Sequence, residues 1–168
     1  MKIFLIGFMG CGKSTLGRKL ATRLGYTLID LDQQIEKITK STVADYFAAN
    51  GEDAFRQLES STLKEYVYPA NSIIATGGGT PCYFDNMDWM NANGLTIYIE
   101  MKPYALAKRL EQGIAKRPLL SNLTEEGIVA FIENKLSERN PFYSRAAVTI
   151  SGVNLTAEHL HAIVMEKS

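Results

Sequence analysis

Gly7-Phe8-Met9-Gly10-Cys11-Gly12-Lys13-Ser14 satisfies the pattern G-x-x-x-x-G-K-[ST] and decides the fold. It follows an apolar run over residues 2–7 that suits a strand buried on both faces. It precedes Leu16, Leu20 and Leu24, whose i, i+4, i+8 spacing predicts an amphipathic helix closed by Gly25 in a left-handed cap. A glycine-rich turn between a strand and a helix lets backbone N–H groups wrap phosphates at the positive end of the helix. Lys13 is then placed to reach the β- and γ-phosphates, and the Ser14 hydroxyl can ligate Mg²⁺. Gly10, Cys11, Gly12 and Thr15 complete the cradle, with Cys11 read as a small filler. Such a loop alone does not separate kinase, switch and motor.

Working outward, Tyr26 to Ile29 reads as a second short strand that delivers Asp30 and Asp32 at its carboxyl end. Helical patterns are predicted over about 43–49, 52–67 and 84–91, and strands over 72–76, 95–100 and 146–151. Pro103 opens a further helix, Thr124 caps one carrying Ile128, Ile132 and Leu136 on one face, and Thr156 caps the last, with Leu155 and Leu160 as a staple. Residues 112–123 hold a glycine, a proline and two adjacent cations without a sustained period, which predicts a surface loop or lid. Strands alternating with helices imply an α/β protein with a parallel sheet covered on both faces. Its ligands are expected at the carboxyl ends of the strands.

The 168 residues suit one domain over 1–168, and 18 Lys+Arg balance 18 Asp+Glu. A neutral chain lacks the broad basic field that gathers nucleic acid and has no polybasic run for an anionic membrane, so neither is expected as a partner. Cys11 and Cys82 stand far apart without metal-ligand spacing, which argues against a disulfide framework or zinc site. The apolar start imitates a signal peptide, and Met9-Gly10-Cys11 a lipoprotein cleavage box, but the run is short and Lys13 follows closely. A cytoplasmic protein is expected.

Several charged residues admit two readings. Asn134-Lys135-Leu136-Ser137 lacks the acid of a guanine-reading Asn-Lys-x-Asp, which weakens a GTPase switch. The third strand ends in Thr76-Gly77, so the acid supporting Mg²⁺ must come from elsewhere. If the strand period runs on, Asp30 and Asp32 share a face and divide between metal water and substrate hydroxyl; alternatively an Asp here is a helix N-cap. Arg139 falls about 20° around its helix from Ile128, so it faces inward and needs a partner, either a fixed carboxylate such as a glutamate or a substrate anion. Arg56, with Glu52 at i−4 and Glu59 at i+3, reads as a surface ion-pair ladder. Gly77-Gly78-Gly79 is either a close-approach loop or a flexible one. Arg117 in the lid could meet the γ-phosphate and Arg109 could border the base, or both are surface cations. His159 and His161, two apart on a helix, diverge by about 200° and are read as solvated.

Taken together, these residues resemble the shikimate kinase family from about residue 2 to 150. The resemblance rests on the phosphate loop with Lys13-Ser14-Thr15, Asp30-x-Asp32 with Ile35-Glu36, Gly51-Glu52 leading into Phe55-Arg56 and Glu59, Gly77–Gly79, Arg117-Pro118-Leu119, and Glu138-Arg139 before Pro141, in that order. It implies a three-layer α/β/α P-loop kinase fold with a five-stranded parallel sheet of order 2-3-1-4-5, a substrate-binding helical region over about 32–60 and a lid over about 112–123. It further implies Mg²⁺-ATP-dependent phosphorylation of the 3-hydroxyl of shikimate in aromatic amino-acid biosynthesis, and a monomer is expected. On that likeness Arg56, Arg139 and the Gly78 N–H hold the substrate carboxylate, Glu59 holds Arg56, and Asp32 accepts the hydroxyl proton. Lys13 and Arg117 stabilise the transferring group, Ser14 binds Mg²⁺, Asp30 orients a metal water, and Arg109 borders the nucleotide. One departure is Gly152-Val153-Asn154-Leu155, which lacks the basic residue that many relatives carry near the adenine. The rival readings are a related P-loop kinase for gluconate or a nucleoside monophosphate, and a non-catalytic nucleotide-binding module.

Overall fold

The computed structural model describes residues 1–111 and 124–168. Strands β1 (Lys2–Ile6), β2 (Thr27–Asp30), β3 (Ser72–Ala75), β4 (Leu95–Glu100) and β5 (Val148–Ser151) form one sheet in the order β2-β3-β1-β4-β5. Every neighbouring pair is parallel, with Phe4 opposite Ile74 on one side and Thr96 on the other. This is the topology that the family resemblance implies. Helices α1 (Lys13–Leu24), α2 (Leu31–Thr39), α3 (Val43–Asn50), α4 (Glu52–Glu65), α5 (Asn86–Asn93), α6 (Pro103–Glu111), α7 (Glu125–Tyr143) and α8 (Ala157–Lys167) lie between and after the strands, with α2, α3 and α4 in succession after β2, and a 3-10 turn covers Thr80–Cys82.

The two faces of the sheet follow from the alternation of side chains along each strand. Ile3, Leu5, Ile73 and Ile97 point to one side and pack with Leu20 and Ala21 of α1 and Leu160 and Val164 of α8. Phe4, Ile6, Ile74, Tyr98 and Ile99 belong to the larger core with α2, α4, α5, α6 and α7. The caps are those expected: Gly25 takes φ 69°, and Thr124 and Thr156 accept hydrogen bonds from Gly127 N and His159 N.

The ends of several elements differ from the periodicity for local reasons. Tyr26 N donates to Ala21 O at the end of α1, so its N–H is unavailable to the sheet and β2 starts at Thr27. Tyr66 turns extended and ends α4 at Glu65. Ala146 N donates to Tyr143 O and Ala147 N to the Thr96 hydroxyl, which delays β5 to Val148. Continuation of the strand period through Asp32 is incorrect: the chain turns into α2 at Leu31, with Asp30 Oδ1 accepting from Gln33 N as the N-cap. No described helix is long and apolar enough to cross a membrane. Leu20 is fully buried where α1 meets the sheet. Leu20→Ala is expected to lower the unfolding free energy by about 2–5 kcal/mol, measured as a lower urea midpoint at unchanged slope.

Candidate active site

The loop from Gly7 to Gly12 leaves β1 at the point where the sheet order reverses, because β3 and β4 flank β1 on opposite sides. Gly12 caps α1 with φ 103°, a conformation that a side chain would oppose, and no side chain caps the helix. Among the described residues no side chain thus takes up the first N–H groups of α1, at the end of the helix that borders the cleft. Lys13 is 8% exposed, and its Nζ donates to the carbonyls of Gly7 at 2.5 Å and Phe8 at 3.1 Å, which keeps a buried ammonium satisfied. Cys11 is buried beneath the loop as a filler.

A cleft of about 440 Å³ opens over this loop, lined by Met9, Gly10, Gly12, Lys13, Ser14, Thr15, Asp30, Asp32, Ala75, Thr76, Gly77, Gly78 and Arg109. The N-cap and cleft readings of the acidic pair hold together. Asp30 caps α2 with one oxygen while its other accepts from the Ser14 hydroxyl at 3.3 Å, and Asp32 sits in the first turn of α2 on the same wall. Burial, reinforced by the charges of Glu59 and Asp30, pushes the Asp32 carboxyl up to about 6, while Lys13 pulls the other way. Thr76 lines the cleft at the strand end, and its hydroxyl donates to Leu5 O. Arg109 is exposed but lines the cleft, with Nη1 3.5 Å from Gly10 O.

The two remaining arginines flank the glycine triplet. A methyl group built on Gly78 would lie 2.9 Å from Arg139 Nη1, and one built on Gly79 only 2.6 Å from Arg56 Nη1. Adjacent Cα atoms are about 3.8 Å apart, so both guanidiniums crowd one short loop, and only glycine gives them room. Arg56 is not a surface ladder. Its side chain is 12% exposed, and it donates to Glu59 Oε1 at 3.0 Å, on a carboxylate that is 1% exposed. Removing one partner of so buried a pair typically costs about 3–5 kcal/mol. Glu59 Oε2 accepts from the Thr80 hydroxyl at 2.8 Å, which fixes the carboxylate between helix α4 and the 3-10 turn. Arg139 lies 5.3 Å from the centre of the Phe8 ring, and among the described residues it has no carboxylate within 4.0 Å. The fixed-glutamate alternative for its partner is thus not met there.

Sequence reasoning missed several residues around this site. Tyr143, one turn beyond Arg139 on α7, donates its hydroxyl to Gly78 O and holds the loop down. Its i+4 relation to Arg139 is the signal that could have found it. Thr80 and Tyr83 carry no local pattern. The expected lid over 112–123, with Arg117, lies outside the described residues. His159 and His161 sit on α8, and among the described residues no cluster of three or more His, Cys, Asp or Glu could hold a metal ion.

A family model described as shikimate kinase matches residues 9–167. A shikimate kinase of Parabacteroides distasonis is 43% identical over 157 residues, covering 94% of this chain and 91% of the relative. The crystal structure of shikimate kinase from Bacteroides thetaiotaomicron superposes with a TM-score of 0.91 at 38% identity, over 99% of this chain and 97% of that one. The shikimate kinase of Acinetobacter baumannii, solved in complex with shikimate, gives a TM-score of 0.85 at 30% identity, over 99% and 91%. With the motifs, the sheet order and the cleft all in agreement, the chain belongs to the shikimate kinase family.

Proposed function

We propose that the cleft carries out the family's reaction, transfer of the γ-phosphoryl group of ATP to the 3-hydroxyl of shikimate, giving shikimate 3-phosphate and ADP on the route to aromatic amino acids. The observation that carries this reading is the placement of Arg56 and Arg139 around Gly78 and Gly79, next to a phosphate loop whose cleft Gly78 also lines. Two planar cations beside one backbone N–H suit a carboxylate, and a carboxylate held there puts the rest of a small acceptor toward Asp32 and Lys13.

The acceptor hydroxyl oxygen attacks the γ-phosphorus, ADP leaves with the electrons of the broken P–O bond, and Asp32 takes the hydroxyl proton. A carboxylate raised toward neutrality accepts a proton more readily than an ordinary one. Lys13 and the N–H groups of the loop bear the charge that spreads over the transferring group. Arg117 joins them by sequence resemblance, and Arg109 borders the nucleotide. Ser14 and, through a water, Asp30 would hold Mg²⁺. Their hydroxyl–carboxylate contact offers few oxygens beside the phosphate site, which suits a cation that keeps waters and phosphate ligands. Bound there, the ion supplies neutralisation of the β- and γ-phosphate charge. The reading places one domain over 1–168, with the acceptor region over about 32–60 and the lid over about 112–123, acting as a cytoplasmic monomer. Its zero net charge supports small anions met locally rather than nucleic acid or a membrane.

Purified protein with Mg²⁺-ATP is expected to release ADP in proportion to added shikimate and not to gluconate or nucleoside monophosphates; release independent of shikimate would refute the assignment. Arg139→Lys should raise the shikimate KM about ten- to a hundredfold while moving the ATP KM by less than about twofold, because a lost bidentate charge contact acts only on the acceptor. The base must be ionised, so kcat/KM for shikimate should fall as pH drops through about 6, and the residual rate of Asp32→Asn should lack that limb.

A further inference from the structure

Arg56 is held on more sides than Glu59 accounts for. Its guanidinium carbon lies 4.2 Å from the centre of the Tyr83 ring and 5.2 Å from that of Phe55. The Tyr83 hydroxyl donates to Glu52 Oε1 at 2.6 Å, and the same oxygen lies 3.8 Å from Arg56 Nε. Among the described residues Arg56 Nε is buried without a hydrogen-bond partner, and this carboxylate answers its charge at 3.8 Å. The bond from Tyr83 holds the Glu52 carboxyl below its usual range, which keeps it anionic beside Arg56. Tyr83 follows the 3-10 turn that Thr80 pins to Glu59, so ring and hydroxyl are delivered from the glycine-loop side while Glu52 and Glu59 come from α4.

We propose that Tyr83 is a positioning residue for the acceptor: its ring and its hydroxyl bond to Glu52 set the plane of the Arg56 guanidinium toward Gly79. The proposal rests on the reading of Arg56 as a ligand of the shikimate carboxylate. A guanidinium with one hydrogen-bonded edge at Glu59 can still swing about that edge. The Tyr83 face and the Glu52 oxygen remove that freedom, and a planar contact loses affinity when its plane is not fixed. Because Tyr83 meets Arg56 and Glu52 and, among the described residues, is not part of the lining of the cleft over the phosphate loop, its effect falls on acceptor binding rather than on phosphoryl transfer.

The test is a double-mutant cycle on the whole enzyme with Mg²⁺-ATP saturating, using Tyr83→Leu, Tyr83→Phe, Arg56→Gln and the two combinations. Shikimate kcat/KM is read by ADP release, shikimate affinity by equilibrium dialysis, and folding by thermal melts. Tyr83→Leu is expected to weaken shikimate about three- to thirtyfold, with kcat and the ATP KM within about twofold. Tyr83→Phe, which keeps the ring but loses the hydroxyl bond, should recover only part of that loss. In the Arg56→Gln background either Tyr83 change should alter shikimate affinity by less than about twofold, since the group being positioned is gone. An equal loss with and without Arg56, a matching rise in the ATP KM, or no loss at all would overturn the proposal. Should Tyr83→Leu fail to fold, Tyr83→Phe and Glu52→Ala, each of which removes the hydroxyl bond, carry the same cycle. If Arg56→Gln alone leaves shikimate affinity unchanged, the role assigned to Arg56 fails, and that result is distinct from a failure of Tyr83.

Discussion

Strand β1 hydrogen-bonds to β3 on one side and to β4 on the other, and the site depends on that double pairing. The register fixes Leu5 opposite both Ala75 and Ile97, and β1 and β3 end within one residue of each other, so the loops that follow these two strands emerge side by side. One loop becomes the phosphate cradle and the other the glycine triplet. Because both faces of β1 are covered, a slip of one residue would drive Phe4 and Ile6 into the wrong layer. Core packing thereby sets the distance between the loop after β1 and the glycine triplet after β3.

Glu59 then ties the electrostatics together. It neutralises Arg56, accepts from Thr80, and by its charge raises the proton affinity of Asp32. A carboxylate that anchors Arg56 thus also shifts the titration of Asp32 across the cleft. The coupling works because Glu59 is almost wholly buried, where charges are weakly screened. Arg139 contrasts with this, having an aromatic ring beneath it and no carboxylate close by among the described residues.

The phosphate loop, the sheet and the caps were legible in the sequence because their causes are local. Glycine at Gly12, the leucines of α1, and Thr124 or Thr156 before a helix each dictate backbone shape within a few residues. Asp30 and Asp32 were half legible, since two local patterns competed and the helix won. Arg56 misled by its spacing: Glu52 and Glu59 look like a surface ladder until Thr80 and Tyr83 arrive from a distant turn to bury the pair. Tyr83 could not be found at all from spacing, because only the packing of that turn on α4 gives it a partner.

The direct step from β2 into α2 has a consequence for how this chain can vary. Asp30 closes the strand and caps the helix, and Asp32 follows within the first helical turn, with no loop between them. An extra residue inserted there would turn everything behind it by about 100° around the helix axis and carry Asp32 away from the cleft. Length is therefore frozen at this junction. Lineages descending from such a chain can lengthen or shorten their surface connections, but between Asp30 and Asp32 drift is confined to exchange of side chains.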